Sequence, residues 1–257
     1  MTRVLTRTHL HSSNLIRVLA DLTLVDAVEP GGAFAEKLGL WLSLHESIAL
    51  HAAHNARAAS PTALPVGATS VARVTIAEIL ARTRTSLENA ITGCGSPNTS
   101  HTHIELPDPQ PGEPLDTPTA YEPYRRYYQA HQRAIETSVR PLRAAARELL
   151  ARTSPALKQL AALDAVFDEI LSERESKLLA TVPLLLRRRF EQLRQAQQQT
   201  QTDTQATEPP ARRLHPPSWL VRFGHEMQTV LLAELDLRLQ PALGLIEAFH
   251  HETNTPP

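Results

Sequence analysis

Apolar residues recur along this chain at spacings of three and four, and the recurrences fall into a few long blocks. The first predicts a helix from about Ser13 to Asp26 that buries Leu15, Ile16, Val18, Leu19 and Leu22, with Pro30-Gly31-Gly32 ending it. The second covers about 33–56, where Phe34, Leu38, Trp41, His45, Ile48 and Ala52 form a coiled-coil-like seam for another helix. The third, about 71–91, carries Val71, Val74, Ile79, Leu80, Leu87 and Ile91.

The centre of the chain is the most regular. From Tyr121 to Arg152 the set Tyr124, Tyr128, His131, Ile135, Leu142, Ala146 and Leu149 keeps to one face. Glu122, Arg125, Arg133, Glu136, Arg140, Arg143 and Arg147 take the other. The pattern keeps phase across Pro141, which predicts a kink there and not an end. Ser154 followed by Pro155 is a helix-start signal. Leu160, Leu163, Phe167, Ile170, Leu171 and Leu178 make the next stripe, and Pro183 predicts another kink before helix resumes to about Arg194. Two helices joined by so short a turn must fold back antiparallel.

Three segments interrupt the periodicity. Residues 56–70 are small and poorly patterned, 93–119 are rich in proline, and 195–217 are rich first in Gln and Thr and then in proline. Residues 218–251 form a further helix, broken at Pro241 and apolar around most of its circumference, which should dock back into the bundle or onto a partner. The expected organisation is an N-terminal helical region (1–92), a proline-rich linker (93–119), a long helical hairpin (120–194), a tether (195–217) and a C-terminal helix. The expected fold class is all-α, an elongated helical bundle built around the long antiparallel hairpin.

Composition agrees with that class. The 257 residues are 42% hydrophobic and 21% charged, with nine glycines and only 4% aromatic residues, which favours helices over strands. A net charge of -1 argues against a general polyanion binder. Arginine greatly outnumbers lysine, which either bidentate anion contacts or plain codon preference would produce. Cys94 is the single cysteine, so no internal disulfide forms and a reducing compartment is expected. Arg17 and Asp21 interrupt the N-terminal apolar stretch, so neither a signal peptide nor a membrane span is expected there.

The candidate chemistry begins with "HESIALHAAH" at 45–54. A zinc-peptidase helix needs His-Glu-x-x-His, because positions i and i+4 project together. Ala49 stands where the second ligand would be, and Thr229 does so in the near match "HEMQT". His51 and His54 are neighbours on a helical wheel, but His45 lies well away from His51. His45 and His131 both fall in apolar stripes and read as neutral core histidines, the alternative being a metal or pH-sensing pair across two helices. Glu234 falls among Phe223, Met227 and Val230, where a buried acid could do acid–base work, but an arginine partner on a facing helix or simple exposure at the edge of the stripe is favoured. Asp164 and Asp168 could be paired catalytic carboxylates, but a solvated helix face near Arg174 is favoured. Cys94 sits between two glycines with no matching catalytic signature. No phosphate loop, dinucleotide fingerprint or serine elbow occurs in the chain. No catalytic residue, metal or cofactor is therefore expected.

Arg187, Arg188, Arg189 and Arg194 form a candidate interaction patch. It could touch nucleic-acid phosphates or an anionic membrane surface, but the rim of a helix–helix contact, pairing with Glu191 and acids on a neighbour, is favoured.

Three long segments add a resemblance: "LADLTLVDAVEPGGAFAEKLGLWLSLHESIAL", the stretch from "YRRYYQAHQRAIETSVRPLRAAARELL" to "LLLRRRFEQLR", and "FGHEMQTVLLAELDLRLQPALGLIEAF". They resemble a proteobacterial family of proteins with a domain of unknown function, over most of the chain outside the linkers. The resemblance brings no functional residues with it. It implies genes near a flagellar-stator or TolQ-type proton channel and an outer-membrane-protein-A-like, peptidoglycan-binding protein. It thereby implies an accessory of an ion-driven membrane motor, in envelope upkeep or phage defence. The expected function is a non-enzymatic cytoplasmic adaptor or scaffold. Its expected partner is another protein, such as a motor subunit at the inner membrane, or a second copy. The alternatives are a nucleic-acid-binding effector using Arg187–Arg189 with Arg212 and Arg213, and a metal-dependent hydrolase built on His45, His131 or Glu234.

Overall fold

Three of the helices start at a serine whose side chain takes up an otherwise orphaned backbone N–H. The computed structural model of the chain describes residues 13–26, 39–55, 66–93, 104–107, 117, 119–203 and 217–254. Within them are seven helices and no strand: α1 (Asn14–Asp21), α2 (Leu44–Asn55), α3 (Val66–Thr92), α4 (Glu122–Ala151), α5 (Pro155–Leu179), α6 (Val182–Asp203) and α7 (Ser218–Asn254). Ser13 accepts from the Ile16 amide at 3.4 Å ahead of α1, and Ser154 accepts from Leu157 at 3.2 Å ahead of α5. Before α2 the arrangement is reciprocal. The Glu46 amide donates to Ser43 Oγ at 3.2 Å, and the Ser43 amide donates to Glu46 Oε2 at 2.6 Å.

That capping box restarts the helix at Leu44, so the single helix expected over 33–56 does not form. Phe34 and Leu38 of the expected seam lie outside the described residues. Of its other members, Trp41, His45, Ile48 and Ala52 are exposed. The side of α2 turned toward α5 carries Glu46, Ala49, Leu50 and Ala53, all half-buried. The two alanines allow close approach, and Glu46 finds Arg174 on α5 at 3.4 Å.

The fold class is all-α, as the periodicity indicates. Its centre is α7, against which α1, α3, α4, α5 and α6 all pack. Phe223, Met227, Leu231, Leu235 and Leu239 of α7 have no accessible surface. Apolar around most of its circumference, α7 needs neighbours on most sides, and it keeps one exposed stripe, Arg222, His225, Thr229, Gln240, Gly244 and Glu247. Both α4 and α7 run through an internal proline, Pro141 and Pro241. The break expected at Pro241 does not occur, because apolar packing on both sides of the proline outweighs the one lost backbone bond.

Helices α4 and α5 form the expected antiparallel hairpin, α4 being ~45 Å long at 1.5 Å per residue. Contacts climb away from the Ser154 turn in pairs: Arg147 with Asp164, Arg143 with Asp168, Gln132 with the Leu179 carbonyl, and Tyr121 with the Pro183 carbonyl. The kink expected at Pro183 is a break between two helices. α5 ends at Leu179, and Pro183 sits in the first turn of α6, where its missing N–H costs nothing. Two connectors are shorter than expected, since α3 already runs from Val66 and α6 continues through the glutamines to Asp203.

Core stripes differ in detail as well. Ile79 of α3 is 41% exposed, while Ile76, Leu87 and Ile91 are buried. Tyr127, Val139 and Leu150 join the buried face of α4, and Leu149 is only half-buried. On α5 Leu160 and Leu178 are exposed, and Leu157, Ala161 and Leu179 are in the core. In the proline-rich linker, Ile104 packs on the core, and a Cβ on Gly224 would meet Leu106 Cδ2 at 3.3 Å. Glycine at 224 therefore lets that segment lie close against α7. Among the described residues no helix is long and apolar enough to cross a membrane.

Candidate functional site

Glu234, on the buried side of α7, has no accessible surface, so its carboxyl group must be satisfied from within. Tyr128 Oη donates to Oε2 at 2.7 Å. Gln132 Nε2 reaches Oε2 and Oε1 at 3.0 and 3.1 Å, and Arg238 Nε reaches Oε1 at 3.0 Å. The facing helix α4 thus supplies a hydroxyl and an amide, while the arginine comes from α7 itself, one turn on. An arginine partner was expected from a facing helix. The Glu234/Arg238 spacing of four carried the answer. Arg238 also lies 3.6 Å from Glu175 of α5. Burial pushes the Glu175 carboxyl up, against the opposing pull of Arg238. Burial, then the negative charge of Glu234, pushes the Tyr128 hydroxyl well above its ordinary value. Both oxygens of Glu234 are thereby engaged in holding α4 to α7, and Arg238 extends the network to Glu175 of α5.

His131 directly precedes Gln132 in α4, about 100° away round the helix, and is 1% exposed. Its ring meets Tyr127 edge-on at 4.5 Å, and Nε2 has no hydrogen-bond partner among the described residues. The expected core histidine is therefore incompletely bonded. Burial pushes it down to about 4 from 6.5. Below pH 6.5 the unfolded chain binds a proton that the folded chain refuses until about pH 4, so the stability held above pH 6.5 is lost across that window. The slope for this single proton approaches about 1.4 kcal/mol per pH unit. Urea unfolding at pH 7.5, 6 and 5 should show a steeper loss for the natural chain than for His131→Leu. Parallel losses would refute the assignment.

Asp164 and Asp168 are not on a solvated face, and Arg174 is not their partner. They face α4, where Arg143 grips Asp164 with Nε and Nη2 at 2.9 and 2.7 Å and reaches Asp168 with Nη1 at 2.7 Å. Arg147 Nη1 bridges both, at 3.2 and 2.9 Å. Two carboxylates so close to two guanidiniums serve as a clasp across the hairpin. The polar assignment of Arg143 and Arg147 concealed this, because a charge pattern on one helix does not show which surface its partner helix will cover.

The arginine patch is divided. Arg187 pairs with Glu191 on its own helix, and both are substantially exposed. Arg189 turns inward to Glu226 of α7 with two bonds of 2.7 and 2.8 Å, a bidentate contact. Arg188 is exposed. Arg194 is half-buried, its Nε lacking a partner among the described residues. His45, His51 and His54 are all exposed on α2, and His51 contacts the Asn55 amide. The structure does not bring His45 to His131, since one faces solvent and the other is sealed in the core. Among the described residues no group of three or more His, Cys, Asp or Glu is placed to hold a metal ion. Cys94, Arg212 and Arg213 lie outside the described residues.

These features define an all-α bundle whose buried polar groups bind its own helices. Residues 1–251 match the family described as "Protein of unknown function (DUF3348)", and the chain belongs to that family. No curated protein and no solved structure matches it.

Proposed function

We propose that the protein is a non-enzymatic, cytoplasmic helical adaptor or scaffold whose partner is another protein. The supporting observation is an apolar surface in one short stretch, with Leu40 86%, Trp41 51%, Leu44 80% and Ile48 59% exposed. Clustered exposure of large apolar side chains marks contact surfaces more often than it does plain solvent-facing helix. The buried ionisable groups favour the same reading, because Glu234, Asp164 and Asp168 are all spent on internal bonds. The nucleic-acid alternative is weakened by Arg189, which faces Glu226 and not solvent. The likeness drawn from the sequence directs the search for the partner to a channel subunit of an ion-driven motor at the inner membrane. Affinity purification at natural expression level should recover such a subunit with the natural chain. Leu44→Asp combined with Ile48→Asp should lose it without changing Tm. A chain that is monomeric at high concentration and recovers no partner would count against the proposal.

A further inference from the structure

α2 is attached to the bundle differently from every other helix. It has no buried residue, and its packing partner is α5. Two polar contacts mark its ends: Glu46 with Arg174 at 3.4 Å, and the Gln159 amide donating to the His54 carbonyl. Between Gln159 and Arg174, α5 presents Leu163, Phe167 and Ile170 on the side away from Asp164 and Asp168. Ile170 is only 8% exposed, yet it stands outside the continuous core cluster. Its cover is α2 and not the core. α5 therefore has a second apolar face, flanked by a cation, which would be open if α2 lifted away.

We propose that α2 is a displaceable cover, and that the α5 face of Leu163, Phe167, Ile170 and Arg174 docks an amphipathic helix of a partner protein. That helix would place a carboxylate where Glu46 stands and small residues where Ala49 and Ala53 stand. The inference deepens the adaptor reading and rests on it for its biological purpose. It adds a second recognising surface to the exposed side chains of Leu44 and Ile48, and gives that second surface an internal competitor. Release of α2 leaves the main core intact, because none of the core cluster's residues belongs to α2. A partner that matches α2 must outcompete a segment tethered in the same chain, so its apparent affinity is lowered by the fraction of covered molecules.

Hydrogen exchange on the full chain, with a fluorescent peptide of residues 43–55 as the probe, tests this. The α2 amides should exchange as one block, faster than those of α4 and α7, and Glu46→Arg should accelerate that block several-fold at unchanged Tm. Combining Glu46→Arg with Arg174→Glu should restore part of the slower exchange, the remainder reflecting the lost bond from the Ser43 amide. The peptide should bind the Glu46→Arg chain several-fold more tightly than the natural chain, and Arg174→Glu should weaken its binding. Exchange of α2 only together with α4 and α7 would overturn the proposal. So would fast α2 exchange with no peptide binding to any variant, which marks a loosely packed surface helix. These readouts need no native partner, so failure of the purification experiment would leave them unchanged.

Discussion

Replacing Glu234 with alanine should lower stability by about 3–5 kcal/mol, the usual cost of removing one member of a buried ion pair. In a chain of this length that is roughly 10 °C of melting temperature. The loss matches that of a large core truncation although few apolar atoms are removed, because of what stays behind. Arg238, with 10% of its side chain exposed, keeps only Glu175 at 3.6 Å. The Tyr128 hydroxyl and the Gln132 amide lose their shared acceptor inside the protein. Glu234→Gln should cost nearly as much, since an amide brings two donors to a place where three donors already converge. Tyr128→Phe should cost less, about 1–2 kcal/mol, because it removes one donor and leaves the carboxyl group with two others. Thermal and urea denaturation of the three variants would check the order. A Glu234→Gln chain as stable as the natural one would show that charge and acceptor count do not matter there.

The second large effect is expected at Phe223. Its ring lies 5.5 Å from Tyr124, 6.2 Å from Tyr121 and 5.2 Å from Phe190, all in edge-on geometry. Phe190 in turn meets Trp219 at 5.2 Å. The chain has only two Trp, four Tyr and five Phe, and five of them gather where α4, α6 and α7 meet. Phe223→Ala should cost about 3–5 kcal/mol through lost burial and the cavity left behind. Phe223→Leu should cost distinctly less by refilling part of that space. Trp219 reports the same event, since loosening the cluster should shift its emission toward that of water-exposed indole before global unfolding. A loss below about 1 kcal/mol for the alanine variant would mean the cluster collapses around the gap, which close packing of rings from three helices opposes.

How these groups would meet was only partly visible in the chain itself. The buried face of α4 was legible in Tyr124, Tyr128, His131, Ile135, Leu142 and Ala146, because their spacing admits one helical side. The Ser154-Pro155 start was equally plain. The stripe on α5 was not, because that helix has two apolar faces and a wheel cannot say which one meets α4. The Asp164/Asp168 pair decided it by turning toward Arg143 and Arg147. Glu46 was the most misleading residue. Beside His45 it suggested metal chemistry, and the signal that explains it is Ser43 three residues earlier, a capping box that restarts the helix and rotates the following residues away from the expected seam.

Local pattern alone determined the class of fold, the hairpin turn and the absence of a complete zinc-peptidase motif, since each depends on residues within a few turns of one another. Tertiary structure decided the rest: α7 as the axis, Tyr128 and Gln132 as the donors to Glu234, Arg189 turned inward, and α2 resting on a face outside the core. Helical spacing fixes which side chains share a surface, whereas the choice of opposing surface is made between elements far apart in sequence. There packing shape and charge pairing act together, and no single segment contains both partners.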